Sequence, residues 1–563
     1  MPSALRRLFA TILVYCEPVG VRILWEEFHL FMAQDYSTSA SSNNHVVVNL
    51  LFRDLNGLLQ QHGKRITDYD LPQIDTQFAN DTRIGRNIQD ELSVHIPPED
   101  LASIDTLNAD QRNAFNIIMA AIRRNESASF FIDGPGGILA SLRSNGHIAI
   151  ATATSGIAAT ILPGGRTAHS RFKIPIDLLS TNSCSISKQS DLADLLRRAV
   201  VLIWDGATMT HRKAFEALDT TLRDITGVEM PFGGKVMILG GDFRQVLPVV
   251  PRGSKAQMID ACIVKSLLWN VIKILPLKQN MRALQDPEFA EFLLRVSDGN
   301  EPFVQDDMIR IPDALVIPWV GDESLGQLIA SIFPGLEDNA FDSSYMVDRA
   351  IITPRNEDVD KLNEVVLNSF PGEDQIYYSF DRVEDDPHNL YQQEFLNSIA
   401  PGGLPSHKLT LKLGAPIMLL RNIDPKSGLC NGTRLICRGF FPNFIDAEIL
   451  TGHFKGTRVF LPRIPLKPSE NVKLLFSLIR RQFPIRLSFA LTINKAQGQT
   501  IPNVGVYLPN HVFSHGQLYV ALSRRVSIQT TKVLIKNSAI EEEPRAHTRN
   551  VVFKDVLTSC QRQ

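Results

Sequence analysis

Two kinds of pattern alternate along the chain: amphipathic stretches at helical spacing, and short runs that are apolar throughout. Ala4–Tyr15, Ile23–Met32 and Val47–Leu59 are of the first kind, which predicts a mainly helical region over 1–95. Ser37–Asn44 reads as a polar linker. Beyond residue 100 the pattern changes. Leu107–Gln111 opens a helix that Asn108 caps and that continues to Ile122. Phe130–Ile132 is an apolar run, followed by Gly134, Gly136 and Gly137 and a second strand, Ile148–Thr152. Ser155–Leu162 reads as a capped helix. Val200–Asp205 and Lys235–Gly240 are further buried strands, each running into polar residues. Apolar strands separated by helical segments predict an α/β fold with a parallel sheet. A second half begins near Pro302, with a strand at Ala350–Thr353 and a helix through Leu367. Pro371–Asn389, six acidic residues against one Arg, reads as a solvated loop. Leu409–Arg421 and Gly432–Arg438 alternate like strands of a small β-module. Ile485–Thr492 is a strand feeding a polar turn and helix.

Length and composition narrow the class. At 563 residues the chain holds several domains, and 44% hydrophobic with 21% charged residues is ordinary for globular protein. A net charge of −2 confines any nucleic-acid site to a local patch. Thr451–Arg486, with eight Lys/Arg and one Glu, is first a solvated basic face and second a nucleic-acid groove. The six cysteines are scattered without a zinc spacing, which points to reduced thiols in a cytosolic or nuclear protein. No apolar run approaches the ~20 residues of a membrane-spanning helix. Arg6 and Arg7 before Leu8–Cys16 mimic a short signal peptide. Glu17-Pro18 stands where a small-residue cleavage site would follow, so the stretch reads as an amphipathic helix.

The candidate chemistry centres on Ser129–Gly137. A strand running into a glycine loop, then a helix and a second strand, is how a nucleoside triphosphate is held. A phosphate loop continues Gly-x-x-x-x-Gly-Lys-Ser/Thr, whereas Gly137 is followed by Ile138–Asn145 with no such Lys. A crossover with its helix needs at least ~10–12 residues, and Gly134–His147 must supply the loop as well. The spacing predicts a helix only ~10 Å long over Ile138–Ser144 and implies that an in-frame piece is missing here. Ahead of the loop, Gln111 is placed to read adenine with its two-faced amide. Asp205, at a strand end, is placed to hold Mg²⁺ through water; Gly206 follows where a water-orienting Glu is expected. Gln245 is a candidate γ-phosphate sensor, Arg282 a phosphate clamp and Arg524 an arginine finger. Arg166, Thr167, His169 and Phe172 mix phosphate donors with a stacking ring, as single-stranded nucleic acid requires. A polar loop with one core Phe explains the same residues equally well.

In order along the chain, Leu107–Gln111, Phe130–Gly137, Ala151–Ala159, Trp204–Asp205, Gly240–Pro248, Asn280–Arg282, Leu419–Arg434, Thr492–Thr500 and Tyr519–Arg524 resemble the Pif-one type of superfamily 1 DNA helicases, especially those encoded by Helitron transposons. The resemblance implies an α/β protein with two RecA-like P-loop NTPase motor domains, a small β-rich 2B module and a helical N-terminal region. The implied units are 1–95, motor domain 1 over 100–300, the start of motor domain 2 over 301–390, the 2B module over 391–440 and the rest of motor domain 2 over 441–545. It implies ATP and Mg²⁺ as cofactors, single-stranded or forked DNA as partner, and 5′-to-3′ movement. It further implies work in DNA repair, recombination, telomere maintenance or transposition, in the nucleus or mitochondrion. Gln111 would contact adenine, Gly134, Pro135, Gly136 and Gly137 the phosphates, and Asp205 the Mg²⁺. Gln245, Arg282 and Arg524 would meet the γ-phosphate. Thr167, His169 and Phe172, with Thr492, Asn494, Lys495 and Gln497, would face DNA. Relatives of the Helitron kind carry upstream replication-initiator domains, none of which is visible, so the resemblance implies truncation at Met1. The missing Lys and Gly206 leave several readings open: a working helicase, a decayed transposon-borne gene, a mis-spliced gene product, or a DNA-binding pseudoenzyme without catalysis.

Overall fold

The computed structural model describes residues 2–16, 18–36, 44–60, 62–72, 86–132, 137–175, 177–178, 181–277, 286–305, 307–384, 386, 390–400, 403–468, 474–524, 527–536 and 546–561. The N-terminal region is helical: α1 (Pro2–Cys16), α2 (Val21–Met32) and α3 (Asn44–Gln60) bury Phe9, Leu13, Trp25, Phe52 and Leu55 in one small core. Arg6 locks it from within, donating to the Met32 carbonyl and the Asp35 carboxylate. Two short helices follow, α4 (Arg86–Leu92) and α5 (Pro98–Ala102), then α6 (Ala109–Arg123).

The first α/β unit runs β1 (Ser129–Ile132), α7 (Ile138–Ser144), β2 (Ala149–Ala153), α8 (Gly156–Ile161), β3 (Arg166–Thr167), α9 (Ala168–Phe172), α10 (Asp191–Arg198), β4 (Val201–Asp205), α11 (Arg212–Thr226), β5 (Val236–Gly240), α12 (Lys255–Ala261) and β6 (Ile272–Leu275). Its sheet, ordered β3-β2-β4-β5-β1-β6, is parallel throughout. Alternate residues of each strand serve opposite faces. Phe131, Leu202, Trp204 and Leu239 join one core; Phe130, Ile132, Ile203 and Ile238 join the other. Covering both faces with helices explains why these strands read as unbroken apolar runs.

The second unit contains α13 (Pro287–Asp298), β7 (Phe303–Gln305), β8 (Met308–Arg310), β9 (Val316–Ile317), α14 (Glu323–Ile332), α15 (Ser343–Val347), β10 (Arg349–Thr353) and α16 (Asn356–Ser369). The chain then leaves for a β-module: β11 (Gln375–Tyr378), β12 (Phe380–Val383), α17 (Gln393–Ser398), β13 (Lys408–Leu411), β14 (Pro416–Leu419), β15 (Arg434–Phe440), β16 (Phe444–Ile449), β17 (Arg458–Pro462), β18 (Ile464–Leu466), β19 (Leu478–Gln482) and β20 (Ile485–Leu487). It returns as β21 (Ala490–Thr492), α18 (Ile493–Ala496), β22 (Asn503–Leu508), α19 (Gln517–Leu522) and β23 (Thr531–Ile535). The second parallel sheet is ordered β21-β10-β22-β23-β9. The antiparallel strands continue to Leu487.

The acidic and basic segments differ from their sequence reading for one shared reason. Pro371–Asn389 is not simply a solvated loop, because β11 and β12 lie within it. β12 pairs antiparallel with β19 of the basic segment. Across that pairing Asp381 and Arg480, both fully buried, form an ion pair at 2.6 Å. Lys467 pairs with Glu384, Arg458 with Asp446 and Arg486 with Asp360. Much of the basic charge is thereby neutralised within the protein, which weakens the groove reading of Thr451–Arg486. Among the described residues no helix is long and apolar enough to cross a membrane.

Candidate nucleotide and DNA site

Parallel register brings the ends of β1, β4 and β5 to one edge of the first sheet. Ile132 lies opposite Gly240, and Trp204 opposite Leu239. The glycine loop, Asp205 and the Asp242–Gln245 turn therefore leave from the same carboxyl edge, where open α/β sheets bind ligands. Gly134, Pro135 and Gly136 lie outside the described residues, as does Arg282. Gly137 has φ +76° and leads into α7, a helix of seven residues, as the short crossover predicted. α7 buries Ile138, Leu139, Ala140, Leu142 and Arg143. Arg143 is its only cation, and that guanidinium is bonded to the carbonyls of Pro163 (2.6 Å) and Ala149 (2.8 Å) and to Glu91. The helix after the loop thus offers no cation to a phosphate.

Gln111 sits in the first turn of α6 in a capping box. Its amide oxygen accepts from Asn108 N–H at 3.1 Å while its own N–H donates to Asn108 Oδ1 at 2.9 Å. The carbonyl half of the amide is engaged by the cap, which leaves its NH₂ as the group for an outside partner.

Burial raises the pKa of Asp205, opposed by a hydrogen bond from the Gly206 backbone. A carboxyl so placed gains from a cation, which fits the Mg²⁺ role. Beside it Thr154 is held by Trp204 Nε1 (3.0 Å) and donates to the Gly206 carbonyl (2.8 Å). Gly206 itself has φ +68°, a left-handed conformation that other residues adopt at a cost.

At the end of β5, Asp242 is a group the sequence reading passed over. Its partly buried carboxyl, likewise raised by desolvation, accepts from Arg244 N–H at 2.9 Å and from the Gln245 side chain at 3.4 Å, and is bonded by Tyr519 of α19. A strand-end carboxylate beside a sensor residue was the available signal. Gly516, capping α19, comes so close that a Cβ there would lie 2.6 Å from the Gln245 carbonyl oxygen. Next to it His515, fully buried, donates from Nε2 to the Phe243 carbonyl and accepts Phe553 N–H at Nδ1, both at 2.8 Å. Gln245 therefore sits at the junction of the two α/β units.

Two expected roles are not those observed. Arg524 is not extended as a finger. It is buried, with Nε donating to the Val520 carbonyl (2.7 Å) and Nη1 to those of Ala496 and Gln499 (3.0 and 3.1 Å). Carbonyls left over at the ends of two short helices draw the guanidinium inward. Phe172 does not face DNA: it is fully buried against Trp204, with ring centroids 5.8 Å apart, so the core-Phe alternative holds.

The remaining DNA candidates divide between the two units. Thr167 caps α9 and is half-buried, and His169, two residues on, is exposed. On the second unit Thr492 caps α18, its hydroxyl accepting Lys495 N–H at 3.4 Å. Asn494 accepts from Gln517 at 3.2 Å. The Lys495 ammonium is pushed down to about 8 by burial and by Arg486. Gln497 is buried with its Oε1 unpartnered among the described residues.

Residues 106–307 match the PIF1-like helicase family, and residues 394–440 match the 2B domain of DNA helicase Pif1. The ATP-dependent DNA helicase PIF1 of Xenopus laevis is 27% identical over 391 residues, 68% of this chain and 54% of that protein. That of Mus musculus is 29% identical over 402 residues, 70% of this chain and 54% of that protein. The chain spans about half the length of these curated relatives. The Pif1 helicase from Bacteroides, solved in complex with ADP-AlF3 and ssDNA, shares the fold at a TM-score of 0.53 and 21% identity, covering 80% of this chain and 96% of that one. The fold is accordingly that of two RecA-like domains with a Pif1 2B domain and a helical N-terminal region. Two segments of the chain, in order along it, are thus similar to the PIF1-like helicase family and to the 2B domain of DNA helicase Pif1.

Proposed function

We propose that the chain is a DNA helicase motor that takes ATP with Mg²⁺ at the carboxyl edge of the first sheet and binds single-stranded or forked DNA, with 5′-to-3′ polarity. The observation that carries this reading is the convergence of Gly137, Asp205 and Gln245 on one edge, with α19 of the second unit seated on Gln245. Asp205 would hold the Mg²⁺, the Gln111 NH₂ would remain for adenine, and Gln245 would meet the γ-phosphate. Bound Mg²⁺–ATP would supply the phosphoanhydride whose cleavage drives movement. Thr167, His169, Thr492, Asn494, Lys495 and Gln497 would face the DNA.

In this copy DNA binding outlasts catalysis. The absent phosphate-loop Lys removes a charge-assisted contact worth about 1.5–3 kcal/mol. Gly206 in place of a Glu removes the water-orienting group, typically ~10²–10⁴-fold in rate. A decayed gene of the Helitron-encoded subgroup, acting in the nucleus, accounts for both. The test is oligo-dT binding across a salt series together with DNA-stimulated ATPase. Affinity should fall steeply with salt, as phosphate neutralisation requires, while turnover stays low. Absence of salt-sensitive binding at low ionic strength would overturn the proposal.

A further inference from the structure

Helices α4 and α5 precede the family-matched residues, and the reading above gives them no task. They lie against both halves of the first site. Ile104, just after α5, stands 2.9 Å from where a Cβ on Gly137 would be, and its carbonyl accepts from Arg112 of α6. Val94, after α4, stands 2.7 Å from the corresponding position on Gly164, ahead of β3.

Between these contacts α4 places Glu91, its side chain 3% exposed, between two guanidiniums. Arg143 Nη2 is 3.3 Å from Oε2, and Arg171 Nη2 donates to Oε1. The two arginine side chains are 4% and 2% exposed. Arg143 belongs to α7, the helix that starts at Gly137. Arg171 belongs to α9, two residues beyond His169. Arg166 joins the same cluster: burial and Arg171 push its guanidinium down to about 10, and Glu91 opposes them. One carboxylate is thus the buried counter-ion shared by the helix after the phosphate loop and the helix beside the DNA-facing residues. Arg143 adds two backbone carbonyls, at Ala149 of β2 and at Pro163, so the pair is tied to the sheet. A buried charge pair holds its geometry stiffly, because losing one partner leaves an uncompensated charge.

We propose that Glu91 is a positioning residue that couples the two sites, holding α7 and α9 in one register so that nucleotide at the loop and DNA at Thr167–His169 alter each other's affinity through its carboxylate. The inference rests on the proposed function for the identity of the two ligands; the positioning itself does not. Such coupling is reciprocal: each ligand shifts the affinity of the other by one factor.

The test uses the full-length chain and Glu91→Gln, which keeps the shape and removes the charge. Hydrogen exchange of the ligand-free protein, read by mass spectrometry, is expected to quicken in both 138–144 and 168–172, with 434–449 unchanged. Faster exchange confined to α4 would overturn the positioning role. Affinity for labelled oligo-dT is then measured with and without a non-hydrolysable ATP analogue. In the unaltered chain the analogue should change the affinity several-fold, and in E91Q the ratio should return to within about twofold of one. An equal ratio in both chains, or no ratio in the unaltered one, would overturn the coupling. If neither ligand binds the unaltered chain, the proposed function fails and the coupling with it, while the exchange data still decide the positioning. Should E91Q not fold, the triple change Glu91→Met, Arg143→Met, Arg171→Met removes every charge of the triad at similar volume. It is expected to fold and to lose the coupling, and retained coupling there would overturn the proposal.

Discussion

Replacing Gly206 by Glu restores the residue expected after Asp205, and the structure sets what that change does by itself. A Cβ at this position would lie 3.4 Å from Thr154 Cβ, 3.5 Å from Thr154 Oγ1 and 3.9 Å from Met209 Sδ, so the space is adequate. The cost is conformational: φ +68° is left-handed, where an L-residue loses roughly 1–2 kcal/mol. At ~2–4 °C per kcal/mol for a unit of 150–250 residues, the melting temperature should drop by roughly 2–8 °C. Gly206→Ala should drop by a similar amount, and Gly206→Asn by less, because Asn tolerates this region. Catalytic gain should be absent in G206E alone, since the base would face a triphosphate that no loop cation holds. Loop and base act on one transition state, so only the double repair, with the Lys-bearing loop restored, should give DNA-stimulated ATPase well above the sum of the single repairs. The assay is thermal melting plus ATPase for the four chains, with and without single-stranded DNA. Turnover by G206E alone at ordinary enzymatic rates, ~1–10³ s⁻¹, would refute the reasoning about the loop. An unchanged melting temperature would refute the strain.

Three further outcomes are expected. Phe172→Ala should destabilise by about 3–5 kcal/mol in urea unfolding, yet leave oligo-dT affinity within about twofold in the folded protein; lost affinity at unchanged stability would restore a stacking role. Arg480→Met leaves the buried Asp381 carboxylate uncompensated and should cost about 3–5 kcal/mol, part of which Asp381→Asn in the same chain should recover; a neutral Arg480→Met would show that water reaches the pair. Burial lowers the His515 pKa below its unfolded value near ~6.5, so the stability it contributes is complete above that pH and declines as pH falls through it. The urea midpoint should drop from pH 7 to pH 5 in the native chain and drop less in His515→Gln, and equal slopes in the two would count against a neutral buried imidazole.

What the sequence disclosed was governed by the range of the interactions involved. Asn108 and Gln111 form their capping box within one turn, and the cap at Asn108 was legible for that reason. The strands of the first sheet are covered on both faces, and uninterrupted apolar runs announce that. Asp381 could not be read as a core residue because its partner, Arg480, lies 99 positions away. The same distance made two segments of opposite charge look like two solvated surfaces. Phe172 carries no local mark that separates a stacking ring from a core ring. The inward turn of Arg524 depends on carbonyls contributed by Ala496 and Gln499, far upstream. Glu91 gave no signal at all: a single glutamate in a helical region is ordinary, and only the fold brings Arg143 and Arg171 to it.

The pairing of β10 with β21 has a consequence for how the protein is made. Thr353 lies beside Thr492 in the second sheet, and the whole β-module is threaded between them. As the chain emerges from the ribosome, β10 must wait for nearly 140 residues before its neighbour exists. At ~5–20 residues per second that is on the order of ten seconds, during which an apolar parallel strand stands with both edges open, since its other neighbour, β22, is made later still. The first unit, whose strands all lie within 129–275, can close by itself during that interval. Birth of the chain is therefore ordered: the unit bearing the glycine loop first, the module next, and the second parallel sheet last, with Lys495 and its neighbours set in place only when the inserted module has finished.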